Sequence, residues 1–261
     1  MKYTQIECEI ENGIANIKLN MPGKLNALSL TMGDELMHAI DLANENARVI
    51  VLGSHGRAFC SGANLSDTGN RLQAAERDIG SGLEAVFNPL VLCMRDAKVP
   101  LITAVKGAAA GIGCSIALMG DLIVTGKSAY FLQAFRNIGL IPDGGSAYLL
   151  AHSIGRVRAM QMMLLGKKLY AEQALAYGLV SDVVDDDKID EIAMEYAVEL
   201  AQGPTIALGL LRKSAWAALD NKFQDQLQLE RELQFAAGQS NDFAEGVSAF
   251  LGKRKAEFKG D

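Results

Sequence analysis

The chain has no surplus of positive charge. Its 261 residues carry 25 lysines and arginines against 31 aspartates and glutamates, for a net charge of −6. Nucleic acids and anionic membrane surfaces both need a basic face, so neither is expected as a partner. No apolar run reaches the roughly 20 residues that cross a bilayer, so no membrane partner is expected either. The opening MKYTQIECEIENG holds acids where a signal peptide needs an apolar core, and a cytoplasmic location is expected. Cysteine is scarce. Cys8, Cys60, Cys93 and Cys114 lack ligand-like spacing and sit among apolar or small residues, which predicts reduced core thiols. His38, His55 and His152 are scattered with no second ligand nearby, so no metal site is expected. There is no Gly-x-Ser-x-Gly, and no serine or cysteine has an evident histidine partner, so nothing points to a nucleophilic hydrolase.

With 49% hydrophobic and 21% charged residues, the composition is that of a globular protein of one large domain, or a domain with an appendage. Residues 3–11 alternate, Asn12-Gly13 is a hairpin signal, and Ile14 to Leu19 alternate again, which predicts an opening β-hairpin. A helix follows from about Ser29 to Asn44, with Met32, Leu36, Ile40 and Ala43 as its apolar stripe and Ser29 or Thr31 as its cap. Val49 to Leu52 reads as a strand and 53–62 as a loop of small residues. Residues 63–82, with three glycines and no period, read as a mobile flap. Leu83 to Asp96 reads as a helix kinked at Pro89. Short helices are predicted at 147–152, 156–165 and 171–177, and a last strand at 180–184. Apolar stripes punctuated at Gly203-Pro204 and Gly238 to Asn241 make everything after Ile189 helical. Strands alternating with helices, then a helical tail, indicate an α/β core with a C-terminal helical region.

The rest of the chain is organised around residues 98–146. Leu101 to Val105 suits a buried strand. Gly107, Gly111 and Gly113 follow, with only small or apolar residues between them, so backbone can approach backbone or a ligand. A buried helix from Gly113 to Met119 would leave N–H groups free at its start, where negative charge is attracted. Thirty residues on lies Asp143, in Ile141-Pro142-Asp143-Gly144-Gly145. A carboxylate there reads in two ways: as a turn or N-cap residue for the helix near Ser146, or as a partly desolvated general base. The glycine run also mimics a dinucleotide-binding fingerprint. It lies mid-chain, though, with no acid about 20 positions on and no Tyr-x-x-x-Lys, so a nicotinamide-dependent oxidoreductase is not supported.

Several motifs together resemble the crotonase, or enoyl-CoA hydratase/isomerase, superfamily across nearly the whole chain. They are Asn26-Ala27-Leu28, residues 57–65 (RAFCSGANL), Gly107 to Gly113, Gly120-Asp121, residues 139–145 (GLIPDGG), AYGLV at 176–180 and AFLGKR at 249–254. The resemblance implies a spiral of ββα units over residues 1–195 and a helical region over 196–261 used for trimer contacts, in a trimer or a dimer of trimers. It implies an acyl-CoA thioester substrate, with coenzyme A as part of that substrate and no separate cofactor. The family's oxyanion-hole amides fall on Ala63 and Ile112. Ile112 stands where relatives usually have glycine or alanine, so its side chain is expected to narrow the pocket. CoA contacts fall on Lys24, Ala27, Arg57, Ser61, Gly62, Ala63, Asn64 and Leu65, and on Phe250 and Lys253 of the tail. Asn64 replaces a more common aspartate. The two glutamates that activate water in hydratases fall on Ser115 and Phe135, neither of which is an acid. Asp143 matches the aspartate carried by several isomerases of the family, and the wider context is most similar to ring-1,2-epoxyphenylacetyl-CoA isomerases. The expectation is an acyl-CoA isomerase that shifts a double bond, or opens a ring epoxide to an oxepin, with Asp143 as general acid/base. A hydratase-like lyase and a non-catalytic acyl-CoA-binding homologue are the alternatives.

Overall fold

The structure, a computed structural model, describes residues 1–65 and 78–261. Of the flap expected over 63–82, residues 66–77 lie outside the described residues. The opening hairpin pairs β1 (Ile6–Glu11) with β2 (Ile14–Leu19) in antiparallel register across Asn12-Gly13. Helix α1 (Leu30–Asn46) starts at Ser29, whose hydroxyl accepts the Met32 N–H at 3.0 Å. That bond satisfies one of the orphan donors at the helix start. Its stripe of Met32, Leu36, Ile40 and Ala43 is buried as expected.

β3 (Val49–Ser54) is buried along its whole length because both faces of the sheet are covered. Ile50 and Leu52 face α1 and the main core, whereas Val49 and Val51 face the opposite side. Ile102, Ala104 and Val124 share that second side with Ala193, Ala197 and Ala201 of a later helix. The segment before the next strand departs from a simple kinked helix. Leu83–Phe87 is a π-helix that runs into α2 (Asn88–Arg95), with the Asn88 N–H donating to the Leu83 carbonyl. Pro89 has no N–H to give, and the widened turn before it absorbs the mismatch.

The central stretch builds β4 (Leu101–Val105), β5 (Ala108–Ala110), α3 (Ile112–Ala117), β6 (Leu122–Gly126) and β7 (Tyr130–Leu132), then a 3-10 turn, Phe135–Ile138. After it come α4 (Ser146–Ile154), α5 (Arg156–Leu165), β8 (Leu169–Tyr170), α6 (Ala171–Ala176) and β9 (Asp182–Val184). One sheet orders β1-β2-β3-β4-β6-β9 and is parallel beyond the hairpin; a second, β5-β7-β8, lies beside it.

The last helices are α7 (Ile189–Ala201), α8 (Thr205–Ala217), α9 (Phe223–Ala237) and α10 (Asn241–Leu251). The alanine face of α7 covers the second side of the sheet, so the boundary expected at 195/196 falls inside a helix that packs on both sides of it. The chain after Leu251 is not helical. The four cysteines are free; Cys60 and Cys114 are fully buried and Cys8 and Cys93 half-buried. No helix among the described residues is long and apolar enough to cross a membrane.

Candidate active site

Three parallel contacts bring separate loops to one place. Leu28 bridges Ala63, because the Leu28 N–H donates to the Gly62 carbonyl and the Asn64 N–H donates to the Leu28 carbonyl. In such a bridge the flanking residues make the bonds, so the N–H of Ala63 itself points away from Leu28. Cys60 bridges Ala109 in the same manner, which lays residues 60–62 along β5. The Gly111 N–H donates to the Leu132 carbonyl, which fixes the start of α3 against β7.

The glycine spacing now has a cause. At Gly107, φ is +57 and a Cβ would fall on the Arg57 carbonyl; at Gly113 a Cβ would lie 2.6 Å from Cys60. Gly111 adopts φ 54 and ψ −130, a region open to glycine alone. A Cβ there would be 3.6 Å from the Gly62 Cα. Gly62 and Gly111 therefore touch, and the residues after them, Ala63 and Ile112, carry neighbouring N–H groups. Neither N–H donates to any group among the described residues. Two such backbone donors can serve a carbonyl oxygen that gains negative charge.

Asp143 stands against the same helix start. A Cβ on Gly144 would collide with Ile112 Cδ1, and the Ser115 hydroxyl lies 3.1 Å from the Asp143 carbonyl. The N-cap reading of Asp143 does not hold. α4 begins after Gly145 with no side-chain cap, and Asp143 meets it only through its backbone carbonyl. Asp143 Oδ1 is buried without a hydrogen-bond partner among the described residues. Burial pushes the carboxyl pKa up to about 6, opposed only by the residue's own N–H. Phe135, at one of the two positions that hydratases fill with glutamate, places its ring against Gly111 as an apolar wall. The expected narrowing by Ile112 takes another form. Its side chain is 1% exposed and fills the space over Gly144, away from solvent.

The structure brings most of the expected CoA contacts together. Lys24 ends a short 3-10 turn, Pro22–Lys24, and the Ser61 N–H donates to the Leu25 carbonyl. A 380 Å³ cavity is lined by Lys24, Ala27 and Asn64 along with Gln5, Ser29 and Thr31. Arg57, Ser61 and Leu65 are exposed, and Gly62 is buried. Asn26 assembles this region. It is fully buried, accepts the Met21 N–H, and donates to the carbonyls of His55 and Ala58. Its place beside Ala27 gave no sign of that role; its φ of +52, a conformation asparagine tolerates, does.

Phe250, near the end of α10, and Lys253, just after it, are both exposed. α10 is tied to the tail through Asp242, which accepts the N–H groups of Lys259 and Gly260. The tail in turn meets Arg48, whose guanidinium donates to the Phe258 carbonyl. Arg48 precedes β3, whereas the loop to Ala63 leaves the other end of that strand, roughly 20 Å away.

A 1110 Å³ cavity touches the Asp143 loop at Gly144 and Gly145. Val91, Leu92, Met119, Leu149, Leu210 and Trp216 contribute to its walls.

Residues 9–261 match the family model described as enoyl-CoA hydratase/isomerase. The chain belongs to this family. Among its relatives is the 1,2-epoxyphenylacetyl-CoA isomerase of Escherichia coli K12, 40% identical over 96% of this chain and 97% of the relative. A probable enoyl-CoA hydratase of Rhodobacter capsulatus is 42% identical over 100% of both. A putative enoyl-CoA hydratase from Streptomyces coelicolor A3(2) superposes with a TM-score of 0.93 at 30% identity, covering 100% of this chain and 96% of the other. The fold is therefore the crotonase fold, and the protein is a crotonase-family enzyme acting on acyl-CoA.

Proposed function

We propose that this crotonase-family enzyme is an acyl-CoA isomerase working with one carboxylate. The thioester carbonyl oxygen accepts the N–H groups of Ala63 and Ile112. Asp143 takes a proton from the acyl chain beside the thioester, and the electrons move into an enolate held by the two amides. The same carboxylic acid then returns the proton to a carbon further along, and the double bond has moved. One base with access to both carbons suffices for this shift.

The observation that carries this reading is the buried Asp143 Oδ1 beside the Ala63 and Ile112 amides, none of the three paired among the described residues. With a pKa raised to about 6, Asp143 is ionised at neutral pH and a far stronger base than an exposed aspartate. Hydration needs a second group to hold water, and Ser115 and Phe135 offer no carboxylate. The isomerase name of the E. coli relative agrees with this reading, and the hydratase name of the R. capsulatus relative is the alternative.

Exposed phenylalanines on the last two helices support a homo-oligomer: Phe223 is 77% exposed, Phe235 62% and Phe250 84%. The deciding experiment is a substrate panel of linear 3-enoyl-CoA, ring-epoxide CoA and crotonyl-CoA. Isomerisation of either of the first two with only trace hydration of the third is the expected outcome. Hydration of crotonyl-CoA as the fastest reaction defeats it.

A further inference from the structure

Behind Asp143 lies a pair of hydroxyls with no part in the reaction as written. Ser115 belongs to α3 and is 0% exposed; Ser146 opens α4 and is 1% exposed. Their Oγ atoms are 2.6 Å apart. The Ser146 hydroxyl donates to the Asp143 carbonyl at 2.6 Å, and the Ser146 N–H donates to it at 3.0 Å. Ser115 Oγ is 3.1 Å from the same carbonyl. Each hydroxyl has one proton, so with Ser146 committed to the carbonyl, Ser115 donates to Ser146 Oγ or joins it on the carbonyl. In the first case a chain of two buried hydroxyls ends on the peptide carbonyl, and bonds in such a chain strengthen one another; in the second both hydroxyls donate to the carbonyl directly.

That peptide group needs holding. Gly144 and Gly145 follow it at φ 56 and 75, and glycine is the residue that most easily leaves any one conformation. The carboxylate it carries has a buried oxygen with no partner among the described residues and would regain hydration by swinging outward. We propose that Ser115 and Ser146 are positioning residues, whose hydroxyls pin the Asp143 carbonyl and so keep its carboxylate turned towards the Ala63 and Ile112 amides. This rests on the isomerase reading above. It gives Ser115 a task of its own at a position where hydratases carry an acid.

Burial and its own N–H are the two influences on the Asp143 carboxyl. The titratable groups of the flanking helices, Cys114 on α3 and Tyr148 and His152 on α4, are not among them. Loosening the loop therefore reads out as rehydration. The test is steady-state isomerisation of 3-enoyl-CoA by Ser115→Ala, Ser146→Ala and the double variant across pH values bracketing 6, beside thermal melts. In the double variant kcat should fall about 10- to 100-fold, the cost of a misplaced reacting group, while KM stays within about twofold. The midpoint of its acid limb should move down from about 6 towards that of an ordinary aspartate. A lowered melting temperature with an unmoved pH midpoint would mean a purely structural role and overturn the proposal, as would an unchanged kcat. Should the double variant not fold, the same midpoint is read on Ser146→Ala, which loses the hydroxyl bond to the carbonyl and keeps the N–H bond; a midpoint moved down supports the proposal and an unmoved one overturns it. A wild type inactive on every enoyl-CoA would sink the isomerase reading itself. An active wild type with a dead Asp143→Asn and an unaltered double variant would sink only the positioning role.

Discussion

Asp143 is stable neither as a charge nor as a hydrogen-bonding group where it stands. Its folded pKa of about 6 lies above the ordinary 3.8. The folded state therefore holds its proton more tightly, and the stability this gives is complete below about pH 3.8 and lost as the pH rises through 6. Above that pH the ionised carboxylate weakens the fold. Asp143→Asn should accordingly melt at a higher temperature than the wild type at pH 8, and the advantage should shrink as the pH falls below about 6 and vanish near 3.8. Differential scanning calorimetry at a series of pH values reads this directly. At this scale the sequence was partly legible. A lone acid between proline and two glycines stands out, and so does the absence of acids at 115 and 135. The two serines do not, because a small hydroxyl residue is ordinary in a helix and only the fold brings residues 31 apart within 2.6 Å.

Helices with a long apolar stripe could be read directly, as α1 shows. So could the strands that carry β-branched residues, β3 and β4. The second sheet could not. β5 is three alanines, a poor strand former, and β8 is two residues long. Those strands exist because β7 pairs with both, which no local pattern announces. Yet β5 is the element against which the Ala63 loop is laid, and the glycines around it are its sequence trace. Gly107→Ala puts a methyl group on the Arg57 carbonyl at a positive φ. It should destabilise the protein by about 1–3 kcal/mol. Urea titration measures the loss, and isomerase activity per folded molecule should drop with it as the amide pair is displaced.

The molecule as a whole is joined across the core-to-tail boundary by Arg212 on α8. It is 3% exposed, pairs with Asp121 at 2.6 Å, and donates to the carbonyls of Met94, Arg95 and Ala97. Burial raises the Asp121 pKa despite that partner. Removing the arginine leaves a desolvated carboxylate and three unserved carbonyls. Arg212→Ala should therefore cost about 3 kcal/mol in chemical denaturation. The exposed phenylalanines of α9 and α10 predict self-association, and Phe235→Glu should shift the sedimenting species to a smaller one. The order of motifs along the chain announced the family at this scale. The boundary at 195 was less legible, since the alanines that dock α7 on the sheet look like the rest of a helical tail. The central claim, one carboxylate moving a proton beside two amides, is tested most directly by Asp143→Asn. Its turnover of 3-enoyl-CoA is followed by absorbance of the conjugated product, with CoA-ester affinity measured by calorimetry on the same sample. The account predicts a rate loss of roughly 100- to 10,000-fold with affinity retained; turnover within tenfold of the wild type would contradict it.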